Sequence, residues 1–168
     1  MSQSPLHSQS LSSLCRQLKS GALASLDVTR SMLNRCEEYD VNYQSYARLL
    51  TETALAEAQA CDEARQQGAQ LGLLHGVPIA IKDLLFTAGV ETASGTDVMR
   101  DFKPNYDATV VTRRRAAGAV IIGKTQLTEG AYGSHHPSIA APVNPWARDA
   151  WSGVSSSGSG VALSLINI

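Results

Sequence analysis

From Leu11 onward, apolar residues recur at helical spacing. Leu11, Leu14 and Leu18 fall at i, i+3 and i+7, which is one helix face, and Gly21 is placed to end it. Ser25 reads as an N-cap with Asp27 in the first turn, and Val28, Met32 and Cys36 make the next stripe. An Ala- and Glu-rich run predicts a third helix from Thr51 to Gln67, with Gly68 at its C′ position. The period then changes. Val77 to Phe86 opens as a β-branched apolar run after Gly76 and reads as a buried strand emerging into a loop. Gly89 to Thr96 carries turn chemistry. Asp107 to Gly118 predicts a capped amphipathic helix and Ala119 to Gly123 a second buried strand. Gly133 to Ser152, with three prolines, is read as irregular, and a helix is expected to open at Gly160. Helices alternating with short apolar strands indicate an α/β fold with a layered sheet.

Length and composition narrow this further. The chain has 168 residues, 43% hydrophobic and 17% charged, enough to bury a core and too apolar for disorder. The first ten residues are polar and expected to fray, and neither an internal repeat nor an interdomain linker follows. A net charge of −1 gives no pull toward nucleic acid or anionic membrane, and Arg113-Arg114-Arg115 reads as a solvated helix face. The N-terminal residues lack the basic and apolar regions of a signal peptide, and no stretch approaches the ~20 apolar residues of a membrane span. Cys15, Cys36 and Cys61 are an odd set without CxxC spacing, expected as reduced, packed thiols in a cytoplasmic protein.

Several chemical motifs fail on inspection. Gly118 to Thr125, GAVIIGKT, fits the phosphate-loop pattern letter for letter. Its four intervening residues, however, are Ala-Val-Ile-Ile, which belong inside a strand where the phosphate-binding amides should be. His135 and His136 are adjacent and point in different directions on any regular element, so no metal is expected and a loop role is read for them. Glu129 and Asp83 could orient neighbours but form no spaced carboxylate pair. Gly153 to Ser157 lacks the final glycine of a nucleophile elbow.

Lys82 and the serine run are different. Lys82 ends the apolar run Val77-Pro78-Ile79-Ala80-Ile81, where an ammonium group is costly unless its stem packs and its head reaches water. The functional alternative is a lysine held neutral by burial so that it can accept a proton, which requires hydrogen-bonding partners such as hydroxyls. GVSSSGSG, Gly153 to Gly160, supplies them. As a linker it would not run straight into the helix-like GVALSL, whereas serines and glycines before a helix leave hydroxyls and amides at its positive end.

At this point the residues carry a resemblance. Gly72 to Thr96 resembles the lysine-bearing strand segment of the amidase signature family, and Gly153 to Ala162 resembles that family's Gly-Gly-Ser-Ser-Gly-Gly-Ser-Gly stretch. Thr109 to Gly133, leading to Asn144-Pro145-Trp146, is similar to the segment between them, and Ser155 follows Lys82 by 73 residues, close to the family's separation. The resemblance implies part of a three-layer α/β/α fold. Residues 11–168 would be the N-terminal part of a single amidase-signature domain. It also implies amide hydrolysis through a Ser-cisSer-Lys triad and an acyl-enzyme, with Lys82 as base and Ser155 as the bridging serine after a cis peptide bond. Ser156, Ser157 and Gly153 would support them, and Val154 and Ser157 depart from the family's glycines. The nucleophile would come from an Asp-x-Gly-Gly-Ser type stretch, which is absent from this chain. The chain alone is therefore expected to be inactive. The implied substrate is a small-molecule amide, without cofactor, metal, nucleic acid or membrane. The alternative is an amidotransferase component that works with misacylated tRNA, or a non-catalytic remnant or module. Oligomeric state and substrate identity stay open.

Overall fold

A computed structural model of the chain describes residues 5–164. The first element among the described residues is a 3-10 turn, Leu6–Ser8, followed by α1 (Leu11–Ser20) and α2 (Ser25–Tyr43). A short strand β1 (Tyr46–Leu49) precedes α3 (Thr51–Gln66). Then come β2 (Pro78–Lys82), α4 (Thr109–Ala116), β3 (Val120–Thr125), a 3-10 turn (Glu129–Ala131) and α5 (Ser157–Ser164).

The helical stripes do what their spacing requires. Leu14 and Leu18 of α1 and Val28, Met32 and Cys36 of α2 are buried together, while Leu11 is exposed. Gly21 ends α1 at φ +76°, the left-handed conformation a helix stop favours. The start of α2 departs from expectation. Ser25 donates its hydroxyl to the Gly76 carbonyl (2.8 Å), and the free amides of Ser25 and Leu26 go instead to the Asp62 carboxylate of α3. A side chain from another helix therefore caps α2 and clamps it to α3. At α4 the cap position is Ala108, without a side-chain bond, because Asp107 accepts from the Ala88 amide and from Arg115. Arg115 also pairs with Glu57, so one member of the arginine run is structural rather than solvated.

The three strands form a mixed sheet in the order β1-β3-β2, with β1 antiparallel and β2 parallel to β3. β1 was not expected. The register slips by one residue between Ile79 and Ala80, so that Ile79 faces Ile121 but Ala80 faces Gly123. Both neighbours of β3 are within the chain, and all six of its residues are buried. Val120 and Ile122 pack into the core of α1, α2 and α3, whereas Ile121 packs with Ile81 and with Val111 of α4. The fold is thus α/β, with helices packed against both faces of a small mixed sheet. Leu6 packs on the larger core, so the expected fraying does not extend to the turn at Leu6–Ser8. The first four residues of that expectation, and the end of the helix opening near Gly160, lie outside the described residues.

Candidate active site

Parallel pairing with β3 brings Lys82 level with Thr125, at the end of β2 where the chain leaves the sheet. The serine run meets it there. Nζ of Lys82 donates to Oγ of Ser155 at 2.7 Å across a separation of 73 residues. Lys82 is half-buried, and burial moves its ammonium below the ordinary lysine range. The Val154–Ser155 peptide bond is cis, and Gly153 before it has φ +94°. The carbonyl of Ser155 accepts from the Thr128 amide (3.1 Å), which ties the turn to the segment following β3.

α5 starts at Ser157, three residues earlier than the glycine pattern suggested. The cause is close packing: Gly158 lies against the Ser45 carbonyl and the Gln126 backbone, and its amide donates to the Gln126 carbonyl at 3.0 Å. Ser157 is buried, and its hydroxyl shares a 2.9 Å hydrogen bond with Nε2 of His135. His135 thus lies against the serine run, and burial lowers the pKa of its ring from 6.5. His136 does not join the site; its Nδ1 bonds Ser138 instead. Ser156 is exposed and engages through its carbonyl, which accepts from Gly160. Ser159 bonds the Thr125 hydroxyl at 2.8 Å.

Beside the site, Lys124 and Asp83 form a buried pair at 3.3 Å. Burial pushes the Asp83 carboxyl up and the Lys124 ammonium down, while their mutual attraction pulls each the other way. In the sequence Lys124 stands directly after the predicted strand Ala119 to Gly123, inside the phosphate-loop lookalike, with no chemical role assigned. The one available signal was a lysine and a threonine closing an apolar strand. Glu129 stays outside the cluster, with its amide bonded to the Ser134 carbonyl. The phosphate-loop lookalike is strand through its centre, as the Ala-Val-Ile-Ile filling requires, and Lys124 is occupied by Asp83.

Among the described residues, no three His, Cys, Asp or Glu side chains gather as a metal site, and no helix is long and apolar enough to cross a membrane. An apolar cavity of about 470 Å³ lies between α1, the sheet and α5, bordered by Leu14, Met32, Ile122 and Ala162, and does not reach Lys82 or Ser155.

Comparison with known proteins gives the class of protein to which this mixed sheet between helices belongs. The Amidase family model matches residues 27–166, and the chain belongs to that family. It is 56% identical over 145 residues to the putative amidase AmiD of Mycobacterium tuberculosis, covering 86% of this chain and 30% of that protein. It is 41% identical over 143 residues to a glutamyl-tRNA(Gln) amidotransferase component of Marinobacter nauticus, covering 84% and 29% respectively. Native peptide amidase from Stenotrophomonas maltophilia superposes with a TM-score of 0.84 at 33% identity, covering 94% of this chain and 34% of that one. The chain therefore spans about 30% of the length of the curated relatives it matches.

Proposed function

We propose that Lys82 and Ser155 are the base and bridging serine of a Ser-cisSer-Lys amidase site, within residues 11–168 as one part of a single amidase-signature domain. The observation that carries this reading is the 2.7 Å contact between Nζ and Oγ. With Lys82 neutral, the contact reverses: the amine accepts the Ser155 proton as that hydroxyl takes the proton of the nucleophilic serine. The nucleophile adds to the amide carbonyl, the C–N bond breaks, and the relay returns a proton to the departing amine. Burial of Lys82 supports the role, because it favours the neutral amine that can accept. Gly153, Ser156 and Ser157 hold the turn that presents Ser155. The substrate is a small-molecule amide, and the nucleophile belongs to a segment outside these 168 residues.

The test is a chimera in which this chain replaces the matched segment of AmiD. It hydrolyses the amides that AmiD hydrolyses, and Lys82→Ala or Ser155→Ala lowers kcat by about a thousandfold or more. A chimera whose turnover ignores both changes would sink the reading. The isolated chain shows no amide turnover; turnover by it, abolished by Lys82→Ala, would refute that part. The 41% identity to an amidotransferase component supports a second reading, as part of such an enzyme. The higher identity to AmiD favours the first.

A further inference from the structure

Lys124 heads the fully buried large side chains, with 0% exposure, and the relay above does not use it. A lysine in such a place is kept only with partners for its charge. Its ammonium lies 3.3 Å from the Asp83 carboxylate, donates to the Leu85 carbonyl at 2.9 Å and donates to the Thr92 hydroxyl at 2.8 Å. All three partners belong to the stretch that leaves β2 directly after Lys82, a stretch outside any named helix or strand. Asp83 fastens it further. Its second carboxylate oxygen accepts the Ala93 amide (3.0 Å), and its carbonyl accepts the Ser94 amide (3.0 Å). Arg48 and Asp107 are the other charged groups acting on Lys124, and Arg48 acts on Asp83 as well.

The end of β3 also holds the serine side of the site. The Thr125 carbonyl accepts the Asp83 amide at 3.0 Å, and the Thr125 hydroxyl bonds Ser159. Gln126 binds Gly158, and Thr128 binds Ser155. Successive residues of one strand exit therefore grip both halves of the Lys82–Ser155 contact. Of these grips, only the Lys124 side chain spans from the strand to the carbonyl of Leu85 and on to Thr92.

We propose that Lys124 is a positioning residue for the Lys82–Ser155 pair, binding the Asp83–Thr92 segment so that Lys82 stays against Ser155. The inference rests on Lys82 being the base of the relay.

The chain's four lysines, Lys19, Lys82, Lys103 and Lys124, make a direct test practical. With lysine labelled at the ε carbon, Lys82 is followed by NMR through a pH titration of the 168-residue chain, folded and in urea. Wild-type Lys82 titrates below its urea value; if it does not, the base reading itself fails. In Lys124→Met that displacement shrinks, the Lys82 dissociation constant changing by about tenfold, as Lys82 leaves its partner and meets water. Thr92→Val, which removes one partner of Lys124 and keeps the ion pair, moves it in the same direction by about threefold. The double variant Asp83→Asn with Lys124→Met keeps the reduced displacement of the single, because the tether and not merely the free carboxylate is at issue. Wild-type titration in Lys124→Met or in Thr92→Val overturns the proposal, and so does recovery of wild-type titration in the double variant. Should Lys124→Met lose its dispersed spectrum, Thr92→Val decides alone.

Discussion

Gly158 and Ser45 approach so closely that a β-carbon built on Gly158 would lie 2.2 Å from the Ser45 carbonyl oxygen. The backbone of Gln126 is nearly as near, at 2.6 Å from the amide nitrogen. Neither neighbour is a flexible tip. Gly158→Ala must therefore push α5 away from the Ser45 and Gln126 backbone or fail to fold, at a cost of roughly 1–3 kcal/mol or more. A lowered urea midpoint, accompanied by a shift of the Lys82 NMR signal, is the expected result. Unchanged values of both would contradict the packing described for α5.

The buried pair predicts a non-additive cycle. Removing one partner leaves the other charge buried and unpaired, so Lys124→Met or Asp83→Leu alone costs about 3–5 kcal/mol. The double variant costs less than the sum, because no orphan charge remains. Urea unfolding of the four proteins measures the coupling. Simple additivity would mean that the 3.3 Å contact carries no interaction.

Lys82 weighs against the fold at neutral pH. Its folded pKa lies below the ordinary 10.5, so the unfolded chain binds more protons between the two values and stability rises with pH across that window. Lys82→Met removes this linkage. The variant is expected to match or exceed wild-type stability near neutrality, with its advantage lost as pH reaches 10.5. Paired urea midpoints at both ends of the window check it, and a steady deficit for the Met variant would contradict it.

His135 predicts a slope at the acidic end. Burial lowers its folded pKa below 6.5, so the unfolded chain takes up the proton first. Its contribution to stability is complete above 6.5 and declines as pH falls toward the folded value. His7, lowered by burial and by Arg35, has the same sign, so His135→Gln should flatten the slope without abolishing it. Thermal midpoints at about pH 7.5 and about pH 5.5 suffice, and an identical slope in the variant would count against a partly buried His135 whose proton is harder to gain in the fold.

The helices were legible because their signal is local. Leu14 with Leu18, and Val28 with Met32 and Cys36, bury the stripes that their spacing announces. β1 was not legible, since Tyr46 to Leu49 becomes a strand only by pairing with β3 about 75 residues later. The start of α5 was misplaced because serines and glycines read as turn, whereas close packing at Gly158 draws them into the helix. Lys82 stood out locally as a lysine closing an apolar run, and the serines as a polar run before a helix. Pairing Lys82 with Ser155 in particular came from a motif resemblance, since no local pattern announces a contact across 73 residues. Lys124 shows the limit most plainly. Its burial depends on Asp83, Leu85 and Thr92, none of them near it in sequence.

The one-residue slip between β2 and β3 sorts two like charges. Facing residues of a parallel pair share a side of the sheet, and a shift of one residue exchanges the sides. Carried on from Ile79 opposite Ile121 without the slip, the register would set Lys82 opposite Lys124, two ammonium groups side by side on one surface. With the slip, Lys82 faces Thr125 and Ile81 faces Lys124. Lys82 thereby shares a side with the threonine that bonds Ser159, and Lys124 shares the other with Asp83. A single extra residue in β3 allots each lysine its own neighbourhood, and deleting it would force both cations to compete for the same one.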